Sequence, residues 1–459
     1  MKETKYEDVG LTANRQPSYS HSYTEVNNVN DYLFMTHTYE GSGGYRDGAY
    51  LVPFAREAWY ENRKTFSTYR NYIKPIIDAM ITPVFSNPIS RELIRGDARY
   101  NKFIENSDNR GNSLTSIIQE AVKYARLHGV SFIVMDNMSD TADMTLQQQI
   151  DERILPYLYI QTADSVANYA TDKFNKLTEI SFKGQESIGD EKYVTIVTWS
   201  ANFYIKEWYD GDKFIRAESF QHDLGILPII PVMNDSTSSY LPTPPMYSLA
   251  KLNLGLYNKD SELRDQERAQ AFSVFYIQHD TNNSNLTIGP HNAISLPVTP
   301  DLNITPGYAS PDSSVLKHIM DSCQKYIDSI YASAEQHGIS VQATSGIEQA
   351  YKFHSTAQQL KHTARIAHAA EIGIVKVLSA YLSVDIEVTI KYTTEYTPYY
   401  DNLTIDEAQK ALEMNLPNSA KVELKKALVG KLLNHLETEE LNIIHQDIED
   451  MVQISGVAA

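Results

Sequence analysis

Pro244-Pro245-Met246-Tyr247-Ser248-Leu249-Ala250-Lys251-Leu252-Asn253-Leu254-Gly255-Leu256 opens the stretch that decides how this chain is built. Two prolines can stand where a helix starts, because the first helical N–H groups have no intrahelical partner to lose. Leu249, Leu252, Leu256 and Leu263 then recur at helical spacing to about Ala271, among several charges. Short strands are expected at Ser273–Gln278 and Asn285–Leu296, around the turn Gly289-Pro290-His291-Asn292. A second long helix begins near Pro311-Asp312, where an acidic residue suits the positive end of the helix dipole. Val315, Ile319, Cys323, Tyr326, Ile330 and Ala334 give it an apolar stripe, and Gly338 stops it. The polar loop Ile339–Gly346 leads to a third helix, Ile347 to about Leu382, about 50 Å long at 1.5 Å per residue. A strand, Val384–Tyr392, and helical segments from Ile405 to Val452 follow.

Upstream, residues 1–50 are polar and Tyr-rich, and read as an extended arm with little core; Gly41-Ser42-Gly43-Gly44 reads as a flexible linker. Helical signals run from Val52 through Ile77, with breaks expected at Pro75, Pro83 and Pro88. An amphipathic helix capped by Asn112 or Ser113 carries Leu114, Ile117, Ile118, Ala121, Val122 and Ala125, and ends at Gly129. Val130–Met135 reads as a buried strand ending at Asp136. From Leu155 to Met233 the period falls to 2: Tyr157–Ile160, Leu177–Phe182, Tyr193–Trp199 and Phe203–Trp208 are strands between turns such as Ile188-Gly189-Asp190 and Asp210-Gly211-Asp212. The fold class is therefore α+β.

The 459 residues are 42% hydrophobic and 21% charged, an ordinary globular composition long enough for two to four domains. The single Cys323 cannot form an intramolecular disulfide. The longest apolar run, Ile226–Met233, contains two prolines and is far short of a membrane span, and the charged start MKETKYEDVG lacks the apolar region of a secretory signal. With 40 Lys+Arg against 58 Asp+Glu the formal charge is −18, which argues against a protein that coats nucleic acid. The charge is uneven. Residues 394–459 carry 12 acidic and 5 basic side chains, residues 244–382 carry 12 and 10.

Catalytic signatures are missing. No phosphate loop ends in Lys-Ser/Thr, no G-x-S-x-G elbow occurs, and there are no paired Cys ligands. His362 and His368 are six apart, on different faces of a helix, where a metal pair needs i, i+4. Cys323 sits on an apolar stripe and reads as a packing residue. The expectation is no catalytic residue, no metal, no cofactor and no enzyme activity. Lys352, Lys361, Arg365 and Lys376, against Glu348 and Glu371, make the third helix either a solvated face or a locally basic lining for something anionic.

Helix, small β-unit, helix, polar loop, long helix is an order that resembles the stem, clip, stem, tunnel loop and tunnel helix of tailed-bacteriophage portal proteins. Pro244–Ala250 resembles the start of their first stem helix, Thr287–Pro297 their clip hairpin, and Ala343-Thr344-Ser345-Gly346 their tunnel-loop segment. Tyr50-Leu51 with Glu57, Tyr60, Arg63, Tyr69 and Asn71, then Pro83-Val84-Phe85, Tyr124–Asp136, Leu155–Leu158 and Gly225–Val232, resemble a portal-like subfamily catalogued as a phage domain of unknown function. The likeness spans about residues 50–450. It departs at His291, which stands where a clip Gly is usual, and at residues 1–49, which have no counterpart.

The resemblance implies a portal fold: N-terminal arm 1–49, β-rich wing 50–243, first stem helix 244–271, small α/β clip 272–310, second stem helix 311–338, tunnel loop with long helix and returning wing strand 339–393, and helical crown 394–459. It implies a homo-oligomeric ring, usually of twelve subunits, at one capsid vertex of the virion, assembled in the host cytoplasm. Such a ring conducts double-stranded DNA in packaging and ejection, without sequence specificity, contacts the major capsid protein, and docks terminase and later a tail adaptor. The tunnel loop falls on Val341, Gln342, Ala343, Thr344, Ser345, Gly346, Ile347 and Glu348. DNA-facing candidates are Lys352, Lys361 and Arg365, and the clip docking residues are Ile288, Gly289, Pro290, His291 and Asn292. The alternative is a structural head–tail adaptor without a DNA tunnel; the paired stem helices and the loop at 339–346 favour the portal.

Overall fold

The computed structural model describes residues 3–5, 26–137, 155–235, 239–271, 274–278, 293–296, 304–309, 313–336 and 346–393, apart from 56, 58, 190, 212 and 223, together with residues 425, 426, 429 and 444. The helices are α1 (Val26–Glu40), α2 (Tyr60–Phe66), α3 (Ile73–Ser86), α4 (Ala98–Glu105), α5 (Leu114–His128), α6 (Tyr247–Ala271), α7 (Ser313–Gln336) and α8 (Gly346–Leu382). The strands are β1 (Glu3–Lys5), β2 (Ser90–Arg95), β3 (Val130–Asp136), β4 (Tyr157–Thr162), β5 (Val166–Thr171), β6 (Leu177–Ile188), β7 (Glu191–Trp199), β8 (Phe203–Asp210), β9 (Lys213–Gln221), β10 (Ile229–Met233), β11 (Val274–Gln278), β12 (Ala293–Leu296), β13 (Gly307–Ala309) and β14 (Glu387–Lys391). The chain is a mixed helix and sheet protein, as its alternating periods require.

β3 ties the N-terminal half together. It lies between β10 and β4 in an antiparallel sheet, and its pleat feeds two cores. Val130, Phe132 and Val134 face one cluster with Trp199 and Phe182, while Ile133 and Met135 face the other with α3, α5 and α8. Helix α5 delivers the chain into β3. The Ser113 side chain accepts from the Ser116 N–H, and Gly129, at φ 88°, closes the helix by donating its N–H to Ala125. Pro231 sits in β10 without breaking the sheet, because β10 is an edge strand. The second sheet runs β1-β9-β8-β7-β6-β5, all antiparallel, with the expected turns at Gly189 (φ 64°) and Gly211 (φ 59°).

Three expectations for the N-terminal quarter change. The arm is not extended throughout: Val26–Glu40 is helical and buries Tyr32, Phe34, Met35, Thr38 and Tyr39. Its sequence hides this, because tyrosine and threonine supply the buried surface in place of aliphatics. Gly41–Gly44 is a packed turn, not a flexible linker. Gly43 has φ 53°, and a Cβ there would lie 2.4 Å from the His37 ring, which itself bonds the Tyr50 hydroxyl at 2.7 Å. Pro83 does not end its helix. Ile76, Ile77, Met80, Ile81 and Val84 bury the whole α3 face, and the Thr363 hydroxyl donates to the Met80 carbonyl (3.0 Å) in the turn before the proline.

α1, α5 and the turn after β4 meet at His128, which is fully buried. One ring nitrogen bonds the Thr36 hydroxyl at 2.9 Å; the other lies 3.9 Å from Asp164 and makes no hydrogen bond. Burial pushes the imidazole down to about 4, only partly opposed by Asp164. Unfolding therefore takes up a proton between pH 6.5 and about 4, and the fold loses stability as pH falls through that window, on the order of 2–3 kcal/mol in all. Denaturant unfolding at pH 7 and pH 4.5 should show a shallower pH slope for His128→Gln than for the parent chain.

Candidate functional site

The α6–α7 pair is built on one close approach. Gly255 of α6 lies against Tyr326 of α7, where a Cβ would come within 2.5 Å of the phenol ring, so only glycine lets the helices meet there. Leu256, Cys323, Ile330 and Ala334 are buried around it, and burial pushes the Cys323 thiol up, as suits a packing residue. Val315, expected on the same stripe, is 46% exposed near the far end of α7. Lys317, His318, Asp321, Gln324, Lys325 and Asp328 give α7 an outward polar face. Between the far ends of α6 and α7, β11 pairs in parallel with β12 and antiparallel with β13.

Polar groups fix the first turns of α6. Buried Asn253 donates to the Arg70 carbonyl (2.9 Å) and accepts from the Tyr72 N–H (3.0 Å). Buried Arg63 is held by Glu57 (2.6 Å), Ser261 (2.7 Å) and the Val52 carbonyl (2.8 Å). Its guanidinium holds the Glu57 carboxyl below the usual range.

α8 crosses the main core. Leu360, Ala364, Ala367, Ala370, Ile374, Val377 and Leu378 are buried along it. Glu371 is buried with them, at 0% exposure, ion-paired to Arg91 of β2 and accepting from the Tyr392 hydroxyl (2.7 Å); Arg91 also donates to Thr115 (2.9 Å). A second clamp comes from Arg126 of α5, which donates to the Thr363 hydroxyl (2.6 Å) and the Gln359 carbonyl (3.2 Å). Arg126 has no carboxylate in contact, and burial lowers it to about 10.

The exposed side of α8 is Gln358, Lys361, Arg365, Ala369, Ile372 and Lys376, all within an arc of about 80° at 100° per residue. Lys361, Arg365 and Lys376 have no ion-pair partner among the described residues. Neighbouring His362 bonds the Asn234 carbonyl (2.8 Å), and burial with Arg126 nearby lowers its pKa. Of the sequence candidates, Lys361 and Arg365 thus share a face. Lys352 is on the helical backbone nine positions earlier, so its Cα lies on the opposite side of the axis. Gly346, Ile347 and Glu348 are in the first turn of α8 by backbone. Val341, Gln342, Ala343, Thr344 and Ser345, the clip residues Ile288–Asn292, and nearly all of 394–459 lie outside the described residues.

Lys376 and Ile372 were not among the candidates, and Glu371 was weighed as a surface charge offsetting the lysines. The signal was helical phase: Glu371 shares its side of the helix with Leu360, Ala364, Ala367 and Leu378, all apolar. With Glu371 turned inward, the charges on the described exposed face of α8, Gln358 to Lys376, are all basic. Among the described residues, no group of three His, Cys, Asp or Glu could hold a metal ion, and no helix is long and apolar enough to cross a membrane.

No protein-family model matches the chain, and no curated protein does. Among solved structures, the neck of an empty gene transfer agent (GTA) particle, computed with C6 symmetry, resembles it with a TM-score of 0.42 at 13% identity, covering 86% of this chain and 93% of that one. A chain of the native GTA virion gives 0.41 at 10% identity over 86% and 93%. The neck of the native particle, computed with C12 symmetry, gives 0.38 at 12% over 81% and 88%. At these values a role for this chain has to be argued from its own residues.

Glu371→Leu leaves the mostly enclosed Arg91 without its carboxylate, and should cost about 3–5 kcal/mol in denaturant unfolding; adding Arg91→Met should recover much of that loss. A double variant no more stable than Glu371→Leu alone would show that the pair does not couple.

Proposed function

We propose that the chain is a subunit of a portal-type head–tail connector, a ring through which double-stranded DNA passes at one vertex of a phage-like virion. The observation that carries the reading is the sequence of parts from 247 to 391. An antiparallel helix pair holds a three-stranded sheet between its far ends; a 37-residue helix follows, and the strand after it returns to pair with β2. That is the stem, clip, stem, tunnel helix and wing-strand order that the motifs imply.

Electrostatics supports a conduit over a binder. Each neutralised phosphate adds salt-dependent affinity, so a protein that must let DNA slide should present few cations in a repulsive background. A chain of net −18 whose long helix exposes Lys361 and Arg365 has that character. These two residues take the DNA-facing role; terminase and tail adaptor would dock at 272–310. The chain acts without catalysis of its own, supplying geometry and field.

Purified protein should form rings of several hundred kilodaltons by mass photometry, with a countable symmetry in negative stain. Only a 52 kDa species at micromolar concentration would overturn the reading. Lys361→Glu with Arg365→Glu should leave rings intact and alter the length or retention of packaged DNA. Unchanged packaging would remove the DNA-facing assignment.

A further inference from the structure

Two exposed isoleucines sit in charged surroundings of opposite sign. Ile372 is 52% exposed on α8, and Ile94 is 60% exposed on β2. Around Ile372 the exposed stripe supplies Arg365, Ala369 and Lys376 and no carboxylate, since Glu371 is turned inward to Arg91. Ile94 is the unpaired residue of a β-bulge between Arg95 and Leu93; Glu92, two residues away, is exposed like it, and exposed Asp385 and Glu387 flank the start of β14. Arg95 is engaged by those two, at 2.5 and 3.7 Å, whereas Glu92 has no ion-pair partner among the described residues. Lys391 stands at the other end of the sheet, opposite Ser90.

These patches look in different directions. Arg91 and Leu93 are the partly buried residues of β2, with Arg91 bonded to Glu371, whereas Glu92 and Ile94 are exposed and face solvent, not α8. Glu371 and Ile372 are successive helix residues, so the direction towards β2 and the direction of the stripe differ by about 100° around α8. One chain therefore carries an apolar centre with a basic rim on one flank and an apolar centre with an acidic rim on another. Complementary patches on different flanks make head-to-tail contacts, the kind that close into rings.

We propose that Ile372 and Lys376 of one copy dock on Ile94 and Glu92 of the next copy, forming the centre of the contact between subunits. This rests on the ring reading and divides the stripe of α8. Its N-terminal cations, Lys361 and Arg365, serve the channel, and its C-terminal half serves the neighbour. A phosphate backbone would gain nothing from an exposed isoleucine, whereas a protein partner removes it from water. Charge complementarity around the two side chains then fixes which copy meets which.

The test measures the ring fraction of the full chain at fixed concentration by mass photometry. Ile372→Asp and Ile94→Asp should each lower it at least tenfold while leaving the thermal midpoint unchanged, because both side chains are exposed. Lys376→Glu and Glu92→Lys should each weaken rings, and a chain carrying both reversals should recover to within about threefold of the parent. Rings that survive the isoleucine variants, or charge reversals that do not rescue each other, overturn the proposal while the ring reading stands. So does intact assembly with altered DNA retention, which would assign the whole stripe to DNA. Should an aspartate variant lower the thermal midpoint, the charge-reversal pair decides alone. A parent chain that is monomeric overturns the ring reading itself.

Discussion

The fully buried carboxylate of Glu371 fixes how the longest helix sits in the molecule. A carboxylate away from water is tolerated only when charge and hydrogen bonds surround it. Arg91 from β2 and Tyr392 from beyond β14 provide both, and Thr115 holds Arg91 from α5. Any rotation of α8 about its axis would separate Glu371 from Arg91 and leave two buried charges unpaired. The pair thus sets which residues of α8 reach solvent. Arg126 and Thr363 repeat the constraint two turns earlier, where α8 crosses α5 and α3.

From that rotation the charge pattern follows. An acidic chain exposes along one helix a row of cations without an ion-pair partner among the described residues, and Glu371, which lies next to that row in sequence, is turned to the core. Counted as a linear string, residues 244–382 looked nearly balanced; counted by face, the described part of α8 is polarised. Balance along a sequence says little about a surface when a single ion pair can remove a charge from it.

What was legible follows the strength of the local signal. α5 could be read to within one residue, with Asn112 or Ser113 as its cap, because the apolar face from Leu114 to Ala125 and Gly129 agree; the cap is Ser113. The strands β6 to β8 were visible from alternation and from the glycine turns that follow β6 and β8, α6 from leucine spacing, and α7 from its stripe Val315 to Ala334. α1 was not legible. Its buried face is made of Tyr32, Phe34, Met35, Thr38 and Tyr39, and its contacts come from α3, α5 and α6, far along the chain. Pro83 misled for the same reason, since a buried face can carry a helix through a proline that would break an exposed one. On α8, charge alone singled out Lys352, Lys361 and Arg365, and of these Lys361 and Arg365 share the described exposed face. Ile372 and Lys376 needed the phase that Glu371 sets, and that phase depends on an arginine 280 positions away.

The same phase bears on how a conduit can hold together and still let its cargo move. Every cation facing a DNA channel adds retention, and a ring multiplies each by its subunit number. A stripe of three cations per subunit would be a strong ladder if all of it faced DNA. Giving Lys376 a carboxylate on the neighbouring copy, with Ile372 buried beside it, removes one cation per subunit from the channel. The charge that would have slowed the DNA then helps to close the ring around it. On that reading the basic face of α8 holds the subunits together at one end and guides DNA at the other, and the acidic remainder of the chain keeps the guided molecule from sticking.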